Sequence, residues 1–242
     1  MVNANIEDAT DSANIALRHI WVDTISAGLW PPDIPRRWPM QYPSLHPGRL
    51  LFVGFNPSFS TRALRTGDDA TLIDVGDLDD RDQVRQRISA EAHWRRPDSL
   101  YPYFVPFAAF SLPWEHIDVF AVRERDQDKV RRALGLHEDH PWSPFAERQF
   151  EVFESLLASL RPTGVVVVSA LGSTLLSGRW SQSGRLWPAE HAGKGVLRDE
   201  AREIPVFFAS MLSGQRAMDR FSRARLIHEV RSAYPPESSG IG

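Results

Sequence analysis

The chain has 242 residues, 42% of them hydrophobic and 24% charged, with a formal net charge of −3. That length and apolar content suffice for one substantial core, while the charge supplies no global basic field, so contact with nucleic acid must rely on a local patch. The absence of cysteine rules out disulfides, thiol nucleophiles, cysteine-ligated zinc and iron–sulfur clusters.

Positive charge is carried by arginine except at Lys129 and Lys194, a bias that suits bidentate phosphate contacts and equally reflects plain composition. The stretch from Met1 to Ser12 is polar and acidic, without a signal-peptide core, and no apolar run approaches the ~18 residues of a membrane span. The expectation is a monomeric cytoplasmic protein of one domain over 1–242, flexible at 1–10 and 235–242, with no membrane partner, metal or cofactor.

In chain order, Asp11 or Ser12 caps an amphipathic helix running to about Gly28, with Ile15, Ile20, Trp21, Val22, Ile25 and Leu29 on its apolar side. Residues 30–48 hold six prolines among Trp30, Trp38 and Tyr42 and read as an irregular segment wrapping the domain. Leu50 to Val53, with Phe55 beyond the glycine, is a strand covered on both faces that stops in the turn Gly54-Phe55-Asn56-Pro57-Ser58. Ser60 to Leu64 suits a short helix. Asp68 to Asp82 carries seven acids and one arginine, but its spacing lacks the calcium-loop pattern with its central glycine and terminal glutamate. It reads as a solvated loop whose last aspartates favour the start of a helix from Arg81 to Trp94.

The aromatic run Tyr101 to Phe110 predicts a helix or helix entrance packed near the sheet, with Tyr103 and Phe104 as candidates to stack on a flat ligand. His116 to Val122 is the second strand, ending in the charged cluster Arg123-Glu124-Arg125-Asp126-Gln127. Helices follow over about 127–134 and 143–160, the latter opening with Ser143-Pro144. Gly164 to Val168 is the third strand, leading into Ser169 and a short helix, and Ser169 lacks the Gly-x-Ser-x-Gly surround of a nucleophile elbow. Residues 180–198 suit a loop or small hairpin. Ile204 to Ala209 is the fourth strand, followed by Ser210-Met211-Leu212-Ser213-Gly214 and a closing helix from about Gln215 to Tyr234 that bears Arg216, Arg220, Arg223, Arg225 and Arg231.

Four short apolar strands separated by helical sequence imply a parallel sheet with helices on both faces. Ligand clefts in such sheets open beyond the carboxyl ends of the strands. Asn56, Arg123, Glu124 and Ser210 to Gly214 all fall at such ends.

At this point the chain resembles the uracil-DNA glycosylase superfamily. Gly54-Phe55-Asn56-Pro57-Ser58 is similar to the Gly-x-Asn-Pro-Gly turn of the mismatch-specific uracil and thymine glycosylases, and Phe208-Ala209-Ser210-Met211-Leu212-Ser213 follows the last strand as the family's His/Asn-Pro-Ser-x-Leu-Ser loop does. The likeness spans roughly residues 45–232. It implies a three-layer α/β/α sandwich around a four-stranded parallel sheet, and a cleft that accepts a uracil or related base flipped from DNA, where water cleaves the bond to deoxyribose.

By resemblance, Asn56 holds that water, and Gly54, Phe55, Pro57 and Ser58 line the base site with Ser210, Met211, Leu212, Ser213 and Gly214 across from them. Arg216 and Arg220 would meet DNA phosphates. An amide is no general base near neutral pH, so its carbonyl can only orient the water. Three positions depart from the family pattern. Phe208 replaces the His or Asn that donates to the leaving base, Ala209 replaces proline, and Ser58 replaces glycine. Arg123 and Glu124 stand where a base-selecting asparagine is missing. Two other expectations stay open: a glycosylase-like nucleic-acid-binding protein with weak or no catalysis, and an α/β enzyme acting on free nucleotides or nucleosides.

Overall fold

A computed structural model of the chain describes residues 4–57, 77–95, 103–136, 141–188, 193–199, 202–214 and 217–234, with side chains from residue 9 onward. The expected helix at Ser60 to Leu64, the acidic stretch up to residue 76, Ser58 and Arg216 lie outside the described residues.

The chain is α/β. Its strands are β1 (Leu50–Gly54), β2 (Trp114–Asp118), β3 (Gly164–Val168), β4 (Leu186–Pro188), β5 (Lys194–Asp199) and β6 (Arg202–Ala209), in one sheet of order β2-β1-β3-β6-β5-β4. β1 pairs in parallel with β3, and β3 with β6, with Phe52 opposite Val166 and Val166 opposite Phe207. Bonds from Leu50 N to Pro113 O and from Val119 N to Gly54 O run β2 alongside β1 in the same direction.

The sheet corrects the expectation of four parallel strands: among the described residues it has six and is mixed. β5 pairs antiparallel with β6, and β4 antiparallel with β5. In β5 only Gly195 and Leu197 are buried, alternating with partly exposed neighbours. An antiparallel strand at the side of a sheet needs one apolar face, so it lacks the continuous apolar run that marks β1 and β3.

Contacts divide the chain into two compact units, one of residues 1–48, 54–96 and 117–161, the other of 49–53, 97–116 and 162–242. In the first unit, helix α1 (Ala4–Ser26) packs on helix α4 (Pro144–Leu160). The ring of Trp21 lies 5.0 Å from Phe145 and 5.6 Å from Trp30. Ser143 caps α4 by accepting from Ala146 N at 3.2 Å. α1 begins at Ala4, ahead of the cap expected at Asp11 or Ser12; no glycine or proline interrupts the chain from Ala4 to Ser26. Gly28, at φ +69°, ends it. The proline-rich segment is pinned to α1 by Asn14, whose Nδ2 donates to Tyr42 O at 2.8 Å while its Oδ1 accepts from Tyr42 N at 2.7 Å. Helices α2 (Arg81–Trp94) and α3 (Gln127–Leu134) complete this unit, capped by Asp80 and Asp126.

In the second unit, Phe52 stacks on Phe107 of a 3₁₀ helix (Val105–Phe110) at 4.0 Å. Helix α5 (Ala170–Gln182) packs on β3, β4 and β6, and helix α6 (Arg220–Ala233) packs on β6 and the 3₁₀ helix. Ser169, buried, caps α5 through a bond from Gly172 N to its Oγ at 3.2 Å. α6 starts at Arg220 rather than Gln215, because the Asp219 carboxylate accepts from Phe221 N and Ser222 N and fixes the cap there. A Cβ at Gly164 would fall 1.8 Å from Tyr234 Oη, which donates to Thr163 O, so only glycine allows that approach.

Candidate functional site

Beyond Gly54 the chain leaves the regular strand but keeps its pairing. Gly54 O accepts from Val119 N and Phe55 O from Phe120 N, each at 3.0 Å, and Pro57 O accepts from Glu124 N at 3.2 Å. The second strand was expected to reach Val122. Regular strand ends at Asp118, and Val119 to Val122 continue as buried extended chain along the turn.

Asn56 sits inside this lacing, 8% exposed. Its Nδ2 donates to Glu124 O at 2.6 Å, Val122 O at 3.0 Å and Pro57 O at 3.2 Å. Three carbonyls around one end of the amide fix its orientation, since the flipped amide would set oxygen against oxygen. The opposite end, Oδ1, is shut from solvent and accepts no hydrogen bond. Such an oxygen can accept from a water or from a ligand N–H or O–H; it cannot take a proton near neutral pH.

The neighbours on either side are held as firmly. Phe55 is buried, its ring edge-on to Phe120 at 5.4 Å. Arg37 Nη1 donates to Arg123 O at 2.7 Å and lies 3.5 Å from Glu124 Oε2. Glu124 Oε1 accepts from Arg125 N and Asp126 N, so this carboxylate closes its own turn. Arg123 points its guanidinium inward, 3% exposed, into an ion pair with Glu91 of α2 and a 3.6 Å contact with Met40 Sδ.

That ion pair belongs to a buried charged cluster that sequence reasoning missed. α2 buries Arg87 and Glu91, one turn apart, and no apolar residue of its own. Asp118 is buried close by, and its carboxyl is pushed up to about 7, chiefly by burial, with Glu91 adding to the rise and Arg95 and Arg123 opposing it. The available signal was in α2 itself, a helix of packed length with no apolar stripe and with Arg87 and Glu91 spaced to share a face.

The other predicted residues lie in the second unit. Ser210, Met211 and Ser213 are half-buried, Leu212 is buried, and Gly214 takes φ +85° in a turn closed by Met218 N donating to Met211 O at 2.8 Å. Arg220 opens α6, with its guanidinium 5.1 Å from the Phe221 ring. Tyr103 Oη meets His116 Nε2 at 3.1 Å, and the Phe104 ring stacks on Trp114 at 5.8 Å, so both rings are packed within one aromatic cluster. Phe208 is half-buried with its ring 6.4 Å from Trp180.

The structure thus brings Gly54, Phe55, Asn56, Pro57, Arg123 and Glu124 together around one turn. Among the described residues, no three His, Asp or Glu side chains converge as a metal would require, and no helix is long and apolar enough to cross a membrane. What fold and site define is an α/β protein with an oriented amide at the carboxyl end of a sheet strand. No protein-family model matches the chain, and no curated protein matches it.

Proposed function

We propose that the protein is a DNA glycosylase of the uracil-DNA glycosylase type, hydrolysing the N-glycosidic bond of uracil or a related damaged or mismatched base with a water held by Asn56. The supporting observation is the Asn56 amide, with its nitrogen consumed by three backbone carbonyls and its buried oxygen left without a donor. A buried acceptor left unpaired costs about 1–3 kcal/mol, and a water or substrate donor at Oδ1 removes that cost.

In this reading the sugar gains positive character as the bond lengthens, and the bound water already lies along the line of attack. Positioning supplies what proton abstraction does not. The fold reading that goes with it is a three-layer α/β/α sandwich, in which β2, β1, β3 and β6 form the parallel core and β5 and β4 are an addition at one side. The partner is DNA, met through basic residues among which the sequence offers Arg216 and Arg220, and the protein acts as a cytoplasmic monomer.

One observation favours a second reading. Phe208, at the position of the family's leaving-base donor, carries no hydrogen-bonding group, and losing such a donor typically lowers rate by about 10²–10³. A glycosylase-like nucleic-acid-binding protein with little catalysis accommodates this. Incubation with a panel of lesion-containing oligonucleotides, followed by detection of free base, separates the two. Release from at least one lesion supports the first reading, and salt-sensitive binding without release supports the second. Turnover of free nucleosides without DNA affinity overturns both.

A further inference from the structure

We infer that Arg87, on the buried face of α2, is an oxyanion-binding residue that takes a phosphate group. Arg87 is 7% exposed, and its Nε and Nη1 are shut from solvent with no acceptor. The nearest carboxylate on its own helix, Glu91, pairs with Arg123 instead. Among the described residues, the contact that offsets the charge is the ring of Trp38, 4.9 Å from the Arg87 guanidinium carbon.

Charge repulsion adds to the case. The Arg87 guanidinium is pushed down to about 10, first by burial and then by the neighbouring charge of Arg123. It remains protonated at neutral pH. A buried charge with no counter-charge is strongly unfavourable, and among the described residues no carboxylate pairs with it. An oxyanion does: guanidinium N–H groups donate charge-assisted hydrogen bonds to phosphate oxygens, and the excess positive charge beside Arg123 favours a dianion over a monoanion.

The phosphate could belong to free phosphate or to a nucleic-acid backbone, and the test distinguishes them. Thermal unfolding of the full chain is followed in chloride, in inorganic phosphate at matched ionic strength, and with a short DNA duplex, for the parent protein, Arg87→Met and Arg87→Lys. The inference predicts that phosphate or duplex raises the parent's Tm by several degrees relative to chloride, that Arg87→Met abolishes this rise, and that Arg87→Lys retains part of it. A rise with inorganic phosphate identifies a free anion as sufficient, and a rise with duplex alone identifies the phosphodiester backbone. Arg87→Met should also melt higher than the parent in chloride, because it removes the uncompensated charge while keeping the bulk beside Trp38. Equal shifts in parent and Arg87→Met, no shift with either anion, or a lower Tm for Arg87→Met in chloride would overturn the inference and leave Arg87 as a packing residue. The readout is unfolding, so the result stands whether or not base release is found.

Discussion

Two strand exits carry the residues that the sequence singled out, and they are built in opposite ways. At the exit of β1, a polar side chain is buried and gripped: Asn56 spends its amide nitrogen on three carbonyls while a buried ion pair, Arg123 to Glu91, holds the facing segment from behind. At the exit of β6, the anchor is apolar: Leu212 is 3% exposed, and a glycine turn and one backbone bond shape the rest. Burying a polar amide and an ion pair is costly compared with burying leucine. The β1 exit therefore spends stability to fix one oxygen in place, as the proposed role of Asn56 requires, whereas the β6 exit is explained by packing alone.

Changes behind the β1 exit have the largest effect. Glu91→Gln leaves Arg123 buried without its carboxylate and should lower stability by about 3–5 kcal/mol in denaturant unfolding. An effect within about 1 kcal/mol would remove the distinction between the exits. Leu212→Ala at the other exit should cost about 2–5 kcal/mol through the lost apolar burial and the cavity left. Any base release by this variant should survive in the fraction that stays folded.

Asp118 adds a pH signature confined to the charged side. Its folded carboxyl lies near 7 against 3.8 for the ordinary group. A raised folded value means that the native state binds the proton more tightly. Stability is then greatest below about pH 4 and falls as pH rises to 7, by about 2–4 kcal/mol for a shift of this size. Asp118→Asn should flatten the stability profile across that window, as read by Tm against pH. The smallest change sharpens the amide itself. Asn56→Asp places a carboxylate oxygen against the carbonyls of Val122, Glu124 and Pro57 and should destabilise by about 1–3 kcal/mol, more at neutral than at acidic pH, where protonation restores a donor.

Much of this architecture was legible before the structure. Apolar runs disclosed β1 and β3, Ser143-Pro144 marked the start of α4, and Asp80 the start of α2, because these signals are local: continuous burial, a cap, a fixed φ. The β4–β5 hairpin falls in the stretch read as a loop or small hairpin, but its place in the sheet was harder to see, since a strand with one apolar face needs only alternation, and β5 offers just Gly195 and Leu197. Asn56 stood out through its place between strand and proline. What holds it did not, because two of the three acceptors are main-chain carbonyls 66 and 68 residues away, and backbone groups carry no sequence signature. Arg123 and Glu124 were read as facing a ligand; one turns inward to Glu91 and the other closes its own turn, a choice made by partners on α2 and in the following residues.

The central claim is that Asn56 Oδ1 positions the attacking water. Its most direct test is single-turnover base release from a lesion-containing duplex by the parent and by Asn56→Ala, with folding and duplex affinity measured on the same samples. The account predicts that Asn56→Ala stays folded and binds the duplex while release falls by about 10²-fold or more. Release at the parental rate from folded Asn56→Ala would contradict it and reduce Asn56 to the tie that holds the turn to Val122 and Glu124.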